Sequence, residues 1–509
     1  MSKKYRTHIR CLGLSILLAG CAGSRVAHYT PDHTYSPQVL HSDFRLLTGI
    51  MEADHPSLYW YTSPDSIRYY FAQADSSIVA PMNEGAFRNL VASTLAHIRC
   101  GHTGVRPSTM YEDYMYRHPA PQFPFQVKIL GVHDQPSLAL VFNPYVRDTT
   151  FKAGDVITAI NGIPAASLID SLRRFFSVDG YCYNFAYQRI SGDFPQWYQN
   201  VFGWDSVYTV GVQRPGRTDF TSPVKAYDLQ KDTTLAEALK IWEMGAPFRL
   251  SKREELEQLR SLRIDSSGKV AVLTIRTFDE GLKKDFIRTS FEILRREKVP
   301  NLVIDIRTNS GGEISSAILL AKYLMPGDFG FVDSVYAATR HIAYKRYMDR
   351  TFMPQLGMTF LTKQKEDGFY HFTSLEGKKY HPIKRDHYKG NVYVLTGGFT
   401  FSAASIFTAN LKGTPGITIV GEETGGGYYG NDGIYIPDVT LPGTHLRVSL
   451  PLFRMIINHR FPKDGRGVQP DIEVVPTTAD IRGAVDPKMR KVLELIGMPV
   501  PGAVVSGRP

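Results

Sequence analysis

Cysteine is scarce in this chain: 509 residues carry four, at positions 11, 21, 100 and 182. None stands in a CxxC pair and no HExxH occurs, so neither a structural zinc site nor a zincin helix is encoded. The GxSxG of an α/β-hydrolase elbow is missing. So is the Gly-Lys-Ser/Thr that a phosphate-cradling P-loop needs. There is no low-complexity tract, no short-period repeat and no concentrated basic block, which argues against disordered, solenoid and nucleic-acid-binding classes. No apolar run is long enough for a permanent membrane span. Nothing in the pattern asks for a metal or a cofactor.

What remains is the composition of a folded protein, 43% hydrophobic and 21% charged, at a length that calls for two to four domains. Residues 1–20 are set apart as a targeting segment: Lys3, Lys4, Arg6 and Arg10 precede the short apolar stretch CLGLSILLAG. That stretch ends in LLAGC, which resembles the lipobox of bacterial lipoproteins; an ordinary secretory signal with a chance cysteine is the alternative. On the lipobox reading Cys21 becomes the lipidated first residue, and the protein is anchored to a membrane of the bacterial cell envelope without spanning it. Removing residues 1–20 lowers the net charge from +10 to +6. Cys100 and Cys182 are then the remaining thiols, and an oxidising envelope permits, without requiring, a disulfide between them.

Along the chain, 21–36 reads as a polar tether and 37–115 as a small helical domain. Residues 120–225 read as a β domain containing Gly154-Asp155, the strand VITAI, an Asn161-Gly162 turn and a helix from Ala165. This arrangement resembles the centre of a PDZ domain, interrupted by the long insertion FSVDGYCYNFAYQRISGDFPQWYQNVFGWD. From 226 to 480 strands alternate with helices, the signature of a mostly parallel sheet flanked by helices. Within it, 335–390 is aromatic, basic and weakly periodic, and reads as an insertion near the sheet edge. Residues 481–509 read as a C-terminal tail.

Two stretches could carry chemistry. In NLVIDIRTNSGGEISSA a buried strand runs into Gly311 and Gly312 before a helix. Such a turn either points backbone N–H groups at an oxyanion or only reverses the chain tightly. In VYVLTGGFTFSAASIFTANL, Ser402 opens a helix, where it serves as an N-cap or as a nucleophile beside small neighbours. A serine nucleophile needs a base. Among fifteen histidines, His102 stands out because CGHTGV is a small-residue turn able to present its ring to a cleft. Cys100, two residues away, raises a Cys–His alternative, disfavoured because both would sit in one tight turn.

Taken in order, VIDIRTNSGG, GGFTFSAASIFTANL, IVGEETGGG and GRGVQPDIEV resemble the C-terminal processing (tail-specific) serine peptidases. HPSLY and CGHTGV resemble the tricorn-like, retinoid-binding-protein-like branch of that family. The resemblance implies a crotonase-like or ClpP-like α/β catalytic domain, preceded by the helical domain and the PDZ-like domain. It puts the nucleophile on Ser402, the base on His102, an acidic partner on Asp464, and oxyanion donors on Ala403 and on Gly311 or Gly312. The lysine of the classical branch is absent, since its place reads Thr424-Gly425-Gly426-Gly427. Cys100 stands where the branch has aspartate. The implied activity is endopeptidase hydrolysis of extended or C-terminal protein segments through an acyl-enzyme. A catalytically inactive peptide-binding lipoprotein and an acyl-ester hydrolase on the same fold are the competing readings. Protein or peptide substrates are the expected partners, with no nucleic acid; oligomeric state is left open.

Overall fold

The computed structural model describes residues 29–131, 136–228, 230–232, 252–279 and 284–499. The targeting segment and Cys21 lie outside them. The stretch read as a tether is held from Tyr29 onward. Its hydroxyl donates to Glu84 at 2.6 Å, and Thr34–Tyr35 pairs with Met82–Asn83. Among the described residues no helix is long and apolar enough to cross a membrane.

Four helices follow: α1 (Pro37–Asp54), α2 (Pro64–Ser76), α3 (Glu84–Ala96) and α4 (Thr109–Arg117). Local chemistry sets their starts. Ser63 caps α2 ahead of Pro64, and Asn83 accepts the Ala86 N–H at 2.9 Å to open α3. Their apolar faces, including Leu40, Phe44, Phe87 and Val91, belong to the same buried cluster as the six-stranded sheet described below.

Strands β1 (Gln126–Leu130), β2 (Ser137–Phe142), β3 (Val156–Ile160), β4 (Val207–Gln213) and β5 (Phe220–Lys225) form an antiparallel sheet in sequence order. Asn161 and Gly162 both take positive φ, as a two-residue type I′ hairpin turn demands. Helix α5 (Ala165–Arg173) starts where the sequence places it. The long insertion folds into α6 (Tyr183–Gly192) and α7 (Phe194–Phe202), which pack on this sheet around Phe123, Phe185 and Tyr198.

The main sheet is β6 (Arg260–Ile264), β7 (Val270–Ile275), β8 (Asn301–Asp305), β9 (Asn391–Thr396), β10 (Ile417–Gly421) and β11 (Ile472–Glu473), again in sequence order. Only β6 runs antiparallel. Helices α8 (Lys284–Arg296), α9 (Ile314–Lys322) and α11 (Ala403–Leu411) pack into the large core on one face, where β7–β10 send alternate residues such as Leu273, Ile304 and Val394. The region 335–390 does not form an edge insertion. It carries α10 (Phe352–Leu361), and Ser334–Ala337 beside it sits inside a second sheet, between Tyr370–His371 and Phe453–Ile456. The expected tail is structured through 496: α12 (Pro487–Ile496) lays Val492, Met489 and Leu493 on the opposite face of the main sheet, over Val303, Leu395 and Val420.

Candidate active site

Ser402 links β9 to α11 with φ 52° and ψ −124°. For an L-residue that backbone costs about 1–3 kcal/mol, so its surroundings must impose it. They do. Thr400 Oγ1 donates to Ile306 O at 2.9 Å, Phe401 N–H donates to Asn309 O at 3.1 Å, and Ser405 Oγ donates to Ser402 O at 2.8 Å. Thr400 and Ser405 are therefore braces. The Ser402 side chain makes no cap hydrogen bond to α11. Instead its Oγ lies 3.0 Å from His102 Nε2, across 300 positions of sequence.

His102 arrives on the turn after α3, its ring 4.6 Å from that of Phe401, which stacks on Phe185 at 4.2 Å. Burial lowers the imidazole pKa below its ordinary value, against the pull of Asp179 and Asp432. The ring is therefore neutral near pH 7 and free to take a proton. Its Nδ1 is buried with no hydrogen-bond partner among the described residues.

Asp464 does not fill that vacancy in the hydrogen-bonding. It is exposed, and its carboxylate accepts the Arg466 N–H of its own turn at 2.9 Å. Three residues of spacing before Gly467 place it on the loop, but the loop faces it outward. The carboxylate beside His102 is Asp179, from the insertion before α6. An Asp179 oxygen, Cys100 Sγ and an imidazole nitrogen lie within 4.8 Å of one another. Asp179 also accepts the Gly101 N–H at 2.8 Å and the Gly427 N–H at 3.2 Å. Burial raises its carboxyl pKa, partly offset by His102.

A second carboxylate, Asp432, stands behind this pair, accepting Ser57 Oγ at 2.6 Å and meeting Arg454 at 3.4 Å. Burial works against its charge, yet Arg454 holds it below the usual carboxylate range. The Arg454 guanidinium lies over Trp60 at 4.0 Å. His55, of the HPSLY element, meets Thr103 Oγ1 at 2.8 Å, and burial pushes its pKa down to about 4. Cys100 and Cys182 are both free and buried, and burial raises both thiol pKa values. Cys100 is accordingly no thiolate, and the Cys–His alternative loses its nucleophile. Cys100, His102 and Asp179 are also a metal-capable donor set. Both Asp179 oxygens already accept backbone N–H groups and Arg454 supplies a positive charge nearby, while His102 Nδ1 is left without a hydrogen-bond partner among the described residues. Lys488 is buried against Glu422 and Thr396 O, each at 2.6 Å, so its ammonium is already committed.

The oxyanion donors divide. Gly311 N–H is already given to Asn309 Oδ1 at 2.8 Å, which removes it as a donor. Its glycine is needed for closeness, because a Cβ there would come within 2.6 Å of Ser402 Cβ. Gly312 and Ala403 are left as the candidate donors. Gly312 sits at φ +123°, and the Ala403 N–H opens α11. Sequence reasoning passed over Gly433. A Cβ on it would lie 2.8 Å from Ser402 Oγ and 3.1 Å from His102 Nε2, so its backbone lines the reaction centre.

Residues 269–474 match the family model for peptidase family S41. No curated protein matches the chain. Among solved structures, mature CPAF is 16% identical, with 88% of this chain and 94% of that one covered and a TM-score of 0.57. A CPAF point mutant gives 15% identity, coverage of 92% and 99%, and a TM-score of 0.59. At such identities the likeness is one of fold.

Proposed function

We propose that this chain, whose residues 269–474 match the family model for peptidase family S41, is an endopeptidase in which Ser402 and His102 cleave peptide bonds through an acyl-enzyme. The observation that carries this reading is the 3.0 Å approach of a neutral imidazole to a hydroxyl on a strained, helix-opening residue. His102 Nε2 takes the Ser402 proton as Oγ attacks the carbonyl carbon. The N–H groups of Ala403 and Gly312 receive the developing oxyanion, each worth about 10²–10³ in rate. His102 then protonates the leaving amine, and water, deprotonated by the same ring, releases the acyl group.

Asp179, rather than Asp464, serves as the carboxylate that orients His102. A small rotation of the imidazole lets Nδ1–H donate to it, which fixes the tautomer with a bare Nε2 facing Ser402. The substrates are extended or C-terminal protein segments. The β1–β5 unit, with its Gly154-Asp155 and Asn161-Gly162 turns, supports a PDZ-like substrate-holding module. Leu18-Ala19-Gly20-Cys21 supports an envelope location with a lipid anchor on Cys21.

A fluorophosphonate probe tests the central claim: it should label the wild type and fail on Ser402→Ala. An unlabelled but folded wild type would leave a peptide-binding protein on a peptidase fold. The pH profile offers a second check. Protonated His102 is no base, so kcat/KM should fall on the acid side through its pKa. Burial and the Arg454 charge depress that pKa while Asp179 and Asp432 raise it, with a net lowering. The acid inflection should therefore lie below about 6.5. An inflection at or above the ordinary histidine value contradicts a buried base.

A further inference from the structure

The strand that passes the catalytic pair continues into an apolar pocket. Gly433 backs onto Ser402 Oγ and His102 Nε2. Two and three residues on, Tyr435 and Ile436 form one wall of a cavity of about 440 Å³, and Arg350, Phe352 and Met353 form the other. The two walls are tied together: Asp438 N–H donates to Asp349 Oδ1 at 2.7 Å, and Met348 bridges Val439. Tyr435 is two residues from Gly433, so its Cα lies no more than about 7 Å from that of the glycine beside the pair.

Both walls hold an unfavourable backbone. Tyr435 and Arg350 each take φ 47°, which is uncommon for a non-glycine residue and strained for a bulky one. The side chains so presented are largely exposed, Tyr435 touching the Phe453 ring at 5.9 Å. Phe352 is 73% exposed, Met353 64% and Tyr435 44%. Exposed apolar surface beside a reaction centre, in a concave setting, suits a substrate side chain.

Building on the peptidase reading above, we propose that this pocket is a subsite for an apolar side chain of the substrate, aromatic or large aliphatic, two or three positions from the cleaved bond. Methionine and aromatic walls adapt to several shapes, so the selection is for apolar class rather than for one residue. Arg350 at the rim provides a polar edge.

The test uses quenched fluorescent peptides identical except at one position, scanned through Phe, Leu, Gly and Asp on either side of the cleaved bond. Wild type should favour Phe or Leu at one position by about 10–100-fold in kcat/KM. Met353→Asp, at an exposed site that leaves the core untouched, should abolish that preference while fluorophosphonate labelling of Ser402 stays within about threefold. Undiminished preference in Met353→Asp with labelling intact overturns the subsite. So does an unchanged preference accompanied by lost binding to phosphatidylglycerol vesicles, or by a dimer turned monomer, since the face then belongs to lipid or to a second copy. An unlabelled wild type strikes the peptidase reading itself, a separate failure.

Discussion

Asp179→Asn should lower kcat by about 10²–10⁴ with KM nearly unchanged, the size of loss seen when the carboxylate behind a catalytic histidine is removed. The asparagine keeps one acceptor oxygen for the Gly101 N–H, so the turn carrying His102 retains its main tie. It loses the charge, and its amide can hydrogen-bond the wrong imidazole tautomer. The pH profile separates this from a packing defect. Asp179 favours protonated His102, and so does Asp432, while burial and Arg454 oppose it. Removing the Asp179 charge must move the acid inflection further down. A purely structural role would lower activity without moving it. Asp179→Glu should recover part of the rate, and Asp464→Asn should stay within about threefold of wild type, because its exposed carboxylate accepts the Arg466 N–H of its own turn and faces away from His102. An active Asp179→Asn enzyme with an unshifted profile would remove Asp179 from the mechanism.

Gly433→Ala is expected to cost about 10²–10³ in kcat/KM with only a small change in Tm. The added methyl would stand 2.8 Å from Ser402 Oγ and 3.1 Å from His102 Nε2. Gly433 is not among the positive-φ positions, so alanine meets no backbone penalty. The cheapest relief is rotation of the Ser402 hydroxyl, which spares the fold but breaks the 3.0 Å approach to His102. Displacing a reacting atom by about 1 Å is enough for a loss near 10²-fold. Kinetics and thermal melting on the same preparation check both halves. Near-normal turnover would mean that residue 433 does not border the reacting atoms.

Ser402 and His102, which the structure brings to 3.0 Å of each other, sit in a strand-to-helix turn and a small-residue turn that made them candidates, and the family resemblance then chose between nucleophile and cap. The main sheet was legible for a similar reason: β8 and β9 are short runs with apolar centres, with helices between them. Asp179 was not. It lies in a segment that reads as an irregular insertion, and its nearness to His102 comes from tertiary contacts that no spacing encodes. Asp464 shows the converse, a correct place in the motif facing the wrong way. Gly311 was placed correctly at the site but in the wrong role, since its N–H is captured by Asn309, two residues earlier. The second sheet escaped notice because its strands are two to five residues long and pair across long separations, too short for an alternating pattern to register. The C-terminal helix did carry signals, an Asp486 cap ahead of Pro487 and Gly497 at φ +73° closing it, that a reading as tail overlooks.

The insertion before α6 also stitches three parts of the molecule together. Ser177 Oγ accepts the Cys100 N–H, Gly180 N–H donates to Arg99 O, Tyr181 N–H donates to Gly465 O, and Phe185 lies flat on Phe401. The β-rich unit thus grips the imidazole-bearing turn and the serine-bearing turn at once. Under the proposed mechanism, a displacement of that unit would shift the His102 and Ser402 turns with it, which ties the geometry of the pair to the seating of the β-rich unit.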